Sequence, residues 1–251
     1  MMRFFPSLRL PLAAALAAFA ALGLPAPALA QGAPGAAAAE PQHPAYADLI
    51  ATIEATVDQE QVIGNTVAAL AQQFAAVPEF AAVEAASPGL IAEIAAGLRP
   101  VLAQQNRRVQ ALYRPQMIAL VARHLTPAEA ESVTAFYRSD LGRRLVGNVT
   151  GAYRPQATLS GVTAGQPITA DQVRADIGNA LASGVGQLSE EDLVAIGRAA
   201  RDTPALLKLQ QIGPEMQQIR VKMENEPLTA EENAAVAGVV ERVFTSRFPA
   251  P

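Results

Sequence analysis

The sequence predicts an all-α protein, a bundle of about ten short-to-medium amphipathic helices. Apolar residues recur three and four positions apart, as at Ile50, Ile53 and Val57. No convincing run alternates apolar and polar residues as a half-buried strand does. Ser and Thr repeatedly precede the helical stretches as caps, and prolines and glycines separate them.

The N-terminus has the order of a secretory signal peptide: a basic segment, an Ala/Leu run at residues 12–24, two prolines and an Ala-x-Ala site. A membrane-spanning helix needs about 20 apolar residues, and this run has 13, so an anchor is the weaker interpretation. We expect a signal peptide at residues 1–30, cleaved between Ala30 and Gln31. We also expect a periplasmic location and no transmembrane anchor in the mature chain.

Composition limits the possible chemistry of the mature chain. Residues 31–43 are rich in Ala, Pro and Gly, which is typical of a flexible leader. Without the signal peptide the chain has 17 basic and 23 acidic residues, a formal net charge of −6, which disfavours nucleic-acid binding. The chain has no cysteine, and its histidines are His43 and His124. We therefore expect no metal site of the usual Cys or His type and no cofactor.

The helical body begins near residue 44. We expect one long helix over about 44–76, weakened near Gly64 and ended by Pro78.

Two prolines interrupt the next helical stretch. Pro100 and Pro115 lie within residues 88–124, and an interior proline removes one backbone hydrogen bond and clashes with the preceding turn. We therefore expect two or three helical pieces there. The tetrapeptide Tyr-Arg-Pro-Gln occurs at 113–116 and again at 153–156, which suggests a corner each time.

Capping signals mark the later helix starts. In a capping box, the Thr side chain accepts from the backbone N–H three residues on, and the Glu or Gln there accepts from the Thr backbone N–H. Ser189 with Asp192 is a weaker version. The three full boxes pair Thr126 with Glu129, Thr169 with Gln172, and Thr229 with Glu232.

Prolines and glycines within residues 154–168 predict a linker between two helical regions, 44–153 and 169–248. The segment that starts at Leu125 is similar to the one that starts at Leu188, because the cap, the helix and the next helix start align. The second region is therefore a possible degenerate duplication of the first helical unit.

The most specific motif in the chain lies at residues 125–146. It combines a capped helix start with an aromatic pair, a glycine and a basic pair at fixed spacing. Its members are Thr126, Glu129, Phe136, Tyr137, Arg138, Ser139, Gly142, Arg143, Arg144 and Leu145. The pattern resembles the core motif of DUF2059, a family of largely exported bacterial proteins of undefined function. The resemblance covers about 90–155 and implies export without implying an activity.

The same residues favour a helix–corner–helix packing unit. Phe136 and Leu145 fall at core-facing positions, Ser139 can cap the second helix, and Gly142 permits close approach of the two helices. Thr126 and Glu129 start the first helix.

A binding patch is the alternative interpretation of this motif. Tyr137, Arg138, Arg143 and Arg144 lie near one corner, where they could hold a carboxylate or phosphate. The arginines could equally pair with acidic residues of the chain itself.

The sequence offers little for catalysis. It contains no Gly-x-Ser-x-Gly elbow, P-loop or dinucleotide-binding glycine pattern. His124 lies at a helix C-terminus, where the helix dipole favours a structural cation. We therefore expect a non-enzymatic interaction or structural protein of the cell envelope, with an unknown envelope protein or ligand as its partner. The alternatives are a carboxylate-based, peptidoglycan-directed hydrolase, for which Glu131 is a candidate acid, and a carrier of small apolar ligands.

Overall fold

A computed structural model describes residues 43–163 and 165–249. The expected signal peptide and leader lie outside the described residues, except for His43. Within the described part of the chain every regular element is an α-helix, which confirms the predicted fold class. The helices are α1 Pro44–Thr56, α2 Gln59–Ala75, α3 Pro78–Ala86, α4 Leu90–His124, α5 Pro127–Arg138, α6 Asp140–Ala152, α7 Gln156–Thr163, α8 Ala170–Val185, α9 Glu190–Asp202, α10 Ala205–Glu224 and α11 Ala230–Arg247.

The long helix expected over 44–76 is two helices, so this prediction was wrong. The break lies at Val57 and Asp58 rather than near Gly64. Val57 is extended, and the Asp58 carboxylate accepts a hydrogen bond from Gln61 N at 2.9 Å to cap α2. Because Val57 is itself buried, the apolar stripe continues through the corner and conceals it in the sequence.

The predicted break of α4 at its prolines was also wrong. Leu90–His124 is one helix of 35 residues that includes Pro100 and Pro115. Both prolines are exposed, so the carbonyl groups that lose a backbone donor face water and can be solvated there. The buried face of α4 packs against five other helices, and this packing holds the helix together across both prolines.

A buried polar belt on α4 divides the apolar core into two clusters. One cluster joins the N-terminal half of α4 to α2 and α11, and the other joins its C-terminal half to α1, α5, α6 and α10. Along α4, Gln105 and Asn106 lie between the residues of the two clusters, Gln110 lies one turn after Asn106, and all three are buried. Asn106 Nδ2 donates to Gln59 Oε1 at 2.7 Å, and Gln110 Nε2 donates to Asn106 Oδ1 at 3.2 Å. These bonds satisfy polar groups that would otherwise oppose burial.

The three predicted capping boxes are confirmed, at the starts of α5, α8 and α11. Ser189 caps α9 by accepting from Asp192 N at 3.1 Å. The second Tyr-Arg-Pro-Gln stands at the corner between α6 and α7, whereas the first lies inside α4.

Residues 154–168, which we predicted as a linker, contain the short helix α7. Asp176 of α8 is buried and holds the start of this helix. Its carboxylate accepts from Ala157 N and Thr158 N, each at 2.9 Å. The proposed duplication of a helical unit stays a prediction.

In the described ranges, no helix by itself has the length and hydropathy needed to cross a bilayer. Helices α2 and α3 together have the required length and hydropathy, but the chain bends by 95° between them.

Candidate functional site

The motif residues build the corner between α5 and α6. Helix α5 ends at Arg138 and α6 begins at Asp140, so Ser139 caps both helices. Its hydroxyl donates to Phe136 O at 2.6 Å and accepts from Gly142 N at 3.1 Å. One residue therefore joins the two helices without a loop, because it satisfies backbone groups of both.

Gly142 lets the two helices approach at this corner. A Cβ atom added to it would lie 2.9 Å from Tyr137 Cα and 3.0 Å from the carbonyl carbon of Phe136. These neighbours are backbone atoms, which cannot rotate away as a flexible side chain can. The contact explains why glycine stands in the first turn of α6 despite its low helix propensity.

The aromatic pair and Leu145 lie in the core. Phe136 is 8% exposed and Leu145 is 1% exposed. Tyr137 is fully buried, and its ring meets that of Phe136 edge-on at 5.7 Å. Burial raises the pKa of the Tyr137 phenol far above its ordinary value of 10. The structure therefore does not bring Tyr137 to the surface that carries the arginines of the predicted patch.

Arg138 ties α5 to α1. Its Nη2 donates to Asp48 Oδ1 at 2.6 Å and to Thr52 Oγ1 at 3.1 Å. Asp48 precedes Arg138 by 90 positions, so no local sequence signal could have identified this pair. The contact is half-exposed, so it fixes orientation more than it adds stability.

The other two arginines also contact groups of this chain. Arg143 donates to the Asp140 carboxylate and to the Arg138 backbone carbonyl. Arg144 Nη2 donates to Asp192 Oδ1 at 2.6 Å, which connects α6 to α9. That hydrogen bond lowers the pKa of Asp192 below its ordinary value. Each of the three arginines thus pairs with an acidic residue of the chain itself, the second of the two interpretations drawn from the sequence.

A surface cleft of about 410 Å³ opens beside the corner, between α1 and α5. It contains one of the four predicted patch residues, Arg138, together with two acids. Its lining residues are Asp48, Glu131, Thr134, Ala135, Arg138 and Ser139. One guanidinium beside two carboxylates suits a polar ligand rather than an apolar one.

Glu129 has two structural tasks at the start of α5. It accepts from Thr126 N at 2.9 Å in the capping box and from Lys208 Nζ at 2.6 Å. Burial opposes its ionisation, but the bonds from Lys208 and Thr126 prevail and hold the pKa of Glu129 below its ordinary value. The motif therefore also anchors α10, which carries Lys208.

His124 contacts a glutamate of α10 at the surface of the protein. It is the last residue of α4, as expected, and its Nε2 lies 2.9 Å from Glu215 Oε1. Arg123 Nη2 donates to the other oxygen of Glu215 at 2.5 Å. Among the described residues, no group of three or more His, Asp or Glu side chains could hold a metal ion.

A buried ionic cluster, which no sequence pattern predicted, lies where α10 meets the corner between α6 and α7. Arg220 is 1% exposed, and its Nε donates to Glu224 Oε1 at 2.7 Å. Its Nη2 donates to Tyr153 Oη at 2.9 Å. Burial is the main reason that the pKa of Tyr153 is raised well above 10, and the nearby carboxylate of Glu224 adds to the effect. The positive charge of Arg220 opposes it but is outweighed. The bond to Tyr153 connects α10 to this corner, and the bond to Glu224 pairs the buried charge within α10.

A second concavity is apolar. It has a volume of about 660 Å³ and lies between α3 and the end of α11. Helix α3 has no buried residue, and Phe248 is 47% exposed. The lining residues are Ala82, Val83, Ala86, Phe244, Thr245 and Phe248.

Comparison with known proteins identifies the corner segment. Residues 114–171 match the family profile of DUF2059, described as an uncharacterized protein conserved in bacteria. No curated protein and no solved structure is detectably similar to the chain. The match starts and ends later than the 90–155 suggested by the motif, and it extends through α7. The resemblance drawn from the motif is confirmed: residues 114–171 of this chain are similar to the DUF2059 family.

Proposed function

We propose that the chain is an exported, non-enzymatic interaction or structural protein of the cell envelope. The signal-peptide pattern at residues 1–30 supports export. One observation carries the rest of the proposal: the side chains of the family motif are engaged in building the fold.

The engagement covers both the apolar and the charged members of the motif. The aromatic pair and Leu145 are buried. Arg138, Arg143 and Arg144 each pair with a carboxylate of the same chain. Because the motif side chains hold the helices together, the motif supplies a rigid scaffold. A partner would then be recognised by the exposed faces of the helices.

The hydrolase alternative is less well supported. Glycoside hydrolysis generally needs one carboxyl group as acid and a second as base or nucleophile. The cleft beside α5 contains Asp48 and Glu131, but Asp48 is bound to Arg138 at 2.6 Å. This ion pair occupies one of the two carboxylates that such a mechanism would require.

The apolar groove between α3 and α11 favours a second candidate function, the carriage of a small apolar ligand. Its volume of about 660 Å³ is in the range of small-molecule sites, and four of its six lining residues are Ala or Phe. Binding of an apolar fluorescent probe that Ala86→Glu abolishes, while Ala85→Glu does not, would support the carrier. Equal binding by both variants would count against it.

Protease accessibility tests the expected location. The full chain with a C-terminal tag is expressed in a Gram-negative host beside a matched chain that lacks residues 2–30. We expect protease added to spheroplasts to digest the full chain and to spare the truncated one. Protection of both chains would contradict export.

In-cell crosslinking followed by purification tests the interaction role. The full chain should recover a specific envelope component that the truncated chain does not recover. If neither recovers one, the interaction role fails. Release of soluble fragments from purified peptidoglycan by the wild-type protein, lost in Glu131→Gln, would instead establish the hydrolase.

A further inference from the structure

Helix α9 exposes a regular stripe on the face that points away from the protein. Ile196 is its one buried residue, and Asp192 on the same side pairs with Arg144. On the opposite side Glu190, Val194, Gly197 and Arg201 are all exposed. Their spacing of four, three and four residues places them along one line of the helix, as in the seam of a coiled coil.

The order of residues along this stripe is complementary to itself. From one end to the other it reads acid, large apolar, small, base. If a second copy of α9 lies antiparallel, Glu190 faces Arg201 of the other copy at both ends. Val194 then faces Gly197, so a large side chain meets a small one. A two-fold interface requires this kind of self-complementarity, in which one patch contacts itself.

Within the chain, the stripe has little to contact. Val194 is 54% exposed, and the neighbouring Leu193 is 40% exposed. A Cβ added at Gly197 would meet open space. Neither Glu190 nor Arg201 forms an ion pair in the described part of the chain, and Arg201 Nε donates only to the Gly197 carbonyl, at 3.2 Å.

We propose that α9 is the contact surface for a second copy of this chain, through an antiparallel, two-fold helix pair. Parallel pairing is disfavoured because it would place Glu190 against Glu190 and Arg201 against Arg201. A helix of 13 residues is about 20 Å long, so the interface is small and the dimer weak. This inference does not depend on the proposed envelope role.

Disulfide trapping tests the direction of pairing, and the natural chain has no cysteine to interfere. Single variants Glu190→Cys and Arg201→Cys are expressed as full chains, purified separately, and oxidised alone and as a mixture. We expect the mixture to form a crosslinked dimer that contains one copy of each variant. Crosslinked homodimers of Glu190→Cys would show parallel pairing and overturn the proposal. The absence of any crosslinked dimer would also overturn it.

Charge reversal tests the contact without cysteine. Glu190→Arg and Arg201→Glu each place like charges at both ends of the pair, whereas the double variant restores opposite charges. By sedimentation velocity, we expect each single change to weaken dimerisation at least about tenfold and the double variant to recover it. Glu231→Arg and Arg242→Glu, exposed on α11 at the same spacing of 11 residues, are the matched controls. Equal association by all variants would refute the interface.

Discussion

Replacing Gly142 with Ala perturbs the helix corner at the centre of the family motif. The added methyl group would meet the backbone of Phe136 and Tyr137, at 2.9 Å from Tyr137 Cα. Because all the nearest atoms belong to the main chain, α5 and α6 must separate to admit it. We therefore expect Gly142→Ala to destabilise the protein.

The magnitude follows from two opposing terms. Ala raises intrinsic helix stability by about 1 kcal/mol relative to Gly. Overpacking of a well-packed site typically costs about 1–3 kcal/mol, and a clash with backbone lies at the upper end. The net loss should be about 1–2 kcal/mol.

Gly147→Ala is the matched control on the same helix. A Cβ at Gly147 meets nothing within 4 Å, so only the propensity term acts, and this variant should gain about 0.5–1 kcal/mol. Urea unfolding followed by far-UV circular dichroism gives both free energies. Equal stability of the two variants would refute the close-approach argument.

Three further predictions follow from contacts elsewhere in the fold. Gly184→Ala should cost about 1–2 kcal/mol in the same urea assay, because its Cβ would lie 2.6 Å from the backbone of α6 and the gain in helix propensity offsets only part of that clash. A Cβ added at Gly178 on the same helix meets nothing within 4 Å, so Gly178→Ala is the control. A similar loss of stability in Gly178→Ala would show that the clash is not the cause. Glu232→Gln should cost about 1–3 kcal/mol at pH 7, because Arg108 loses its bidentate carboxylate partner. The hydrogen bond from Arg108 lowers the pKa of Glu232. The stability difference between wild type and Glu232→Gln should therefore shrink as the pH falls below 4.5, the ordinary pKa of a glutamate. A stability difference that does not change with pH would contradict this. Burial, with a lesser contribution from Glu226, raises the pKa of Tyr113 to about 12, so its stabilising contribution should be lost as the pH rises from 10 towards 12. Because Tyr113 stays protonated near pH 10, absorbance titration at 295 nm should show the same phenolate signal there in wild type and in Tyr113→Phe. A smaller phenolate signal in Tyr113→Phe near pH 10 would contradict the raised pKa.

Local chemistry made the motif corner predictable. A Thr–Glu pair three residues apart, a Ser before a helix and a Gly in its first turn each have few structural uses. The buried face of α5 followed from its period of three and four residues. These signals lie within about one helical turn of the atoms that they control.

Helix continuity was harder to predict, because it depends on tertiary packing. Pro100 and Pro115 are strong local breakers, yet both lie on the exposed side of a helix that other helices hold in place. The break at Asp58 is the opposite case: the helix does end there, but the neighbouring Val57 is buried and continues the apolar stripe, so the sequence pattern predicts an unbroken helix.

The partners of the arginines could not be predicted from the sequence. Arg138 meets a carboxylate 90 positions away, and Arg144 meets one 48 positions away. Such contacts arise only when the helices have docked. For the same reason, sequence patterns could not decide whether Tyr137 joins a surface patch or the core.

Native-state hydrogen exchange at the corner tests most directly whether the family motif is a packing unit of the fold. The backbone amides of Ser139, Gly142 and Arg143 bond to groups of the same corner. If the corner is part of the core, these amides should exchange only through global unfolding, with an opening free energy within about 1 kcal/mol of the global value. Exchange of these amides through local opening, several kcal/mol easier than global unfolding, would contradict the account.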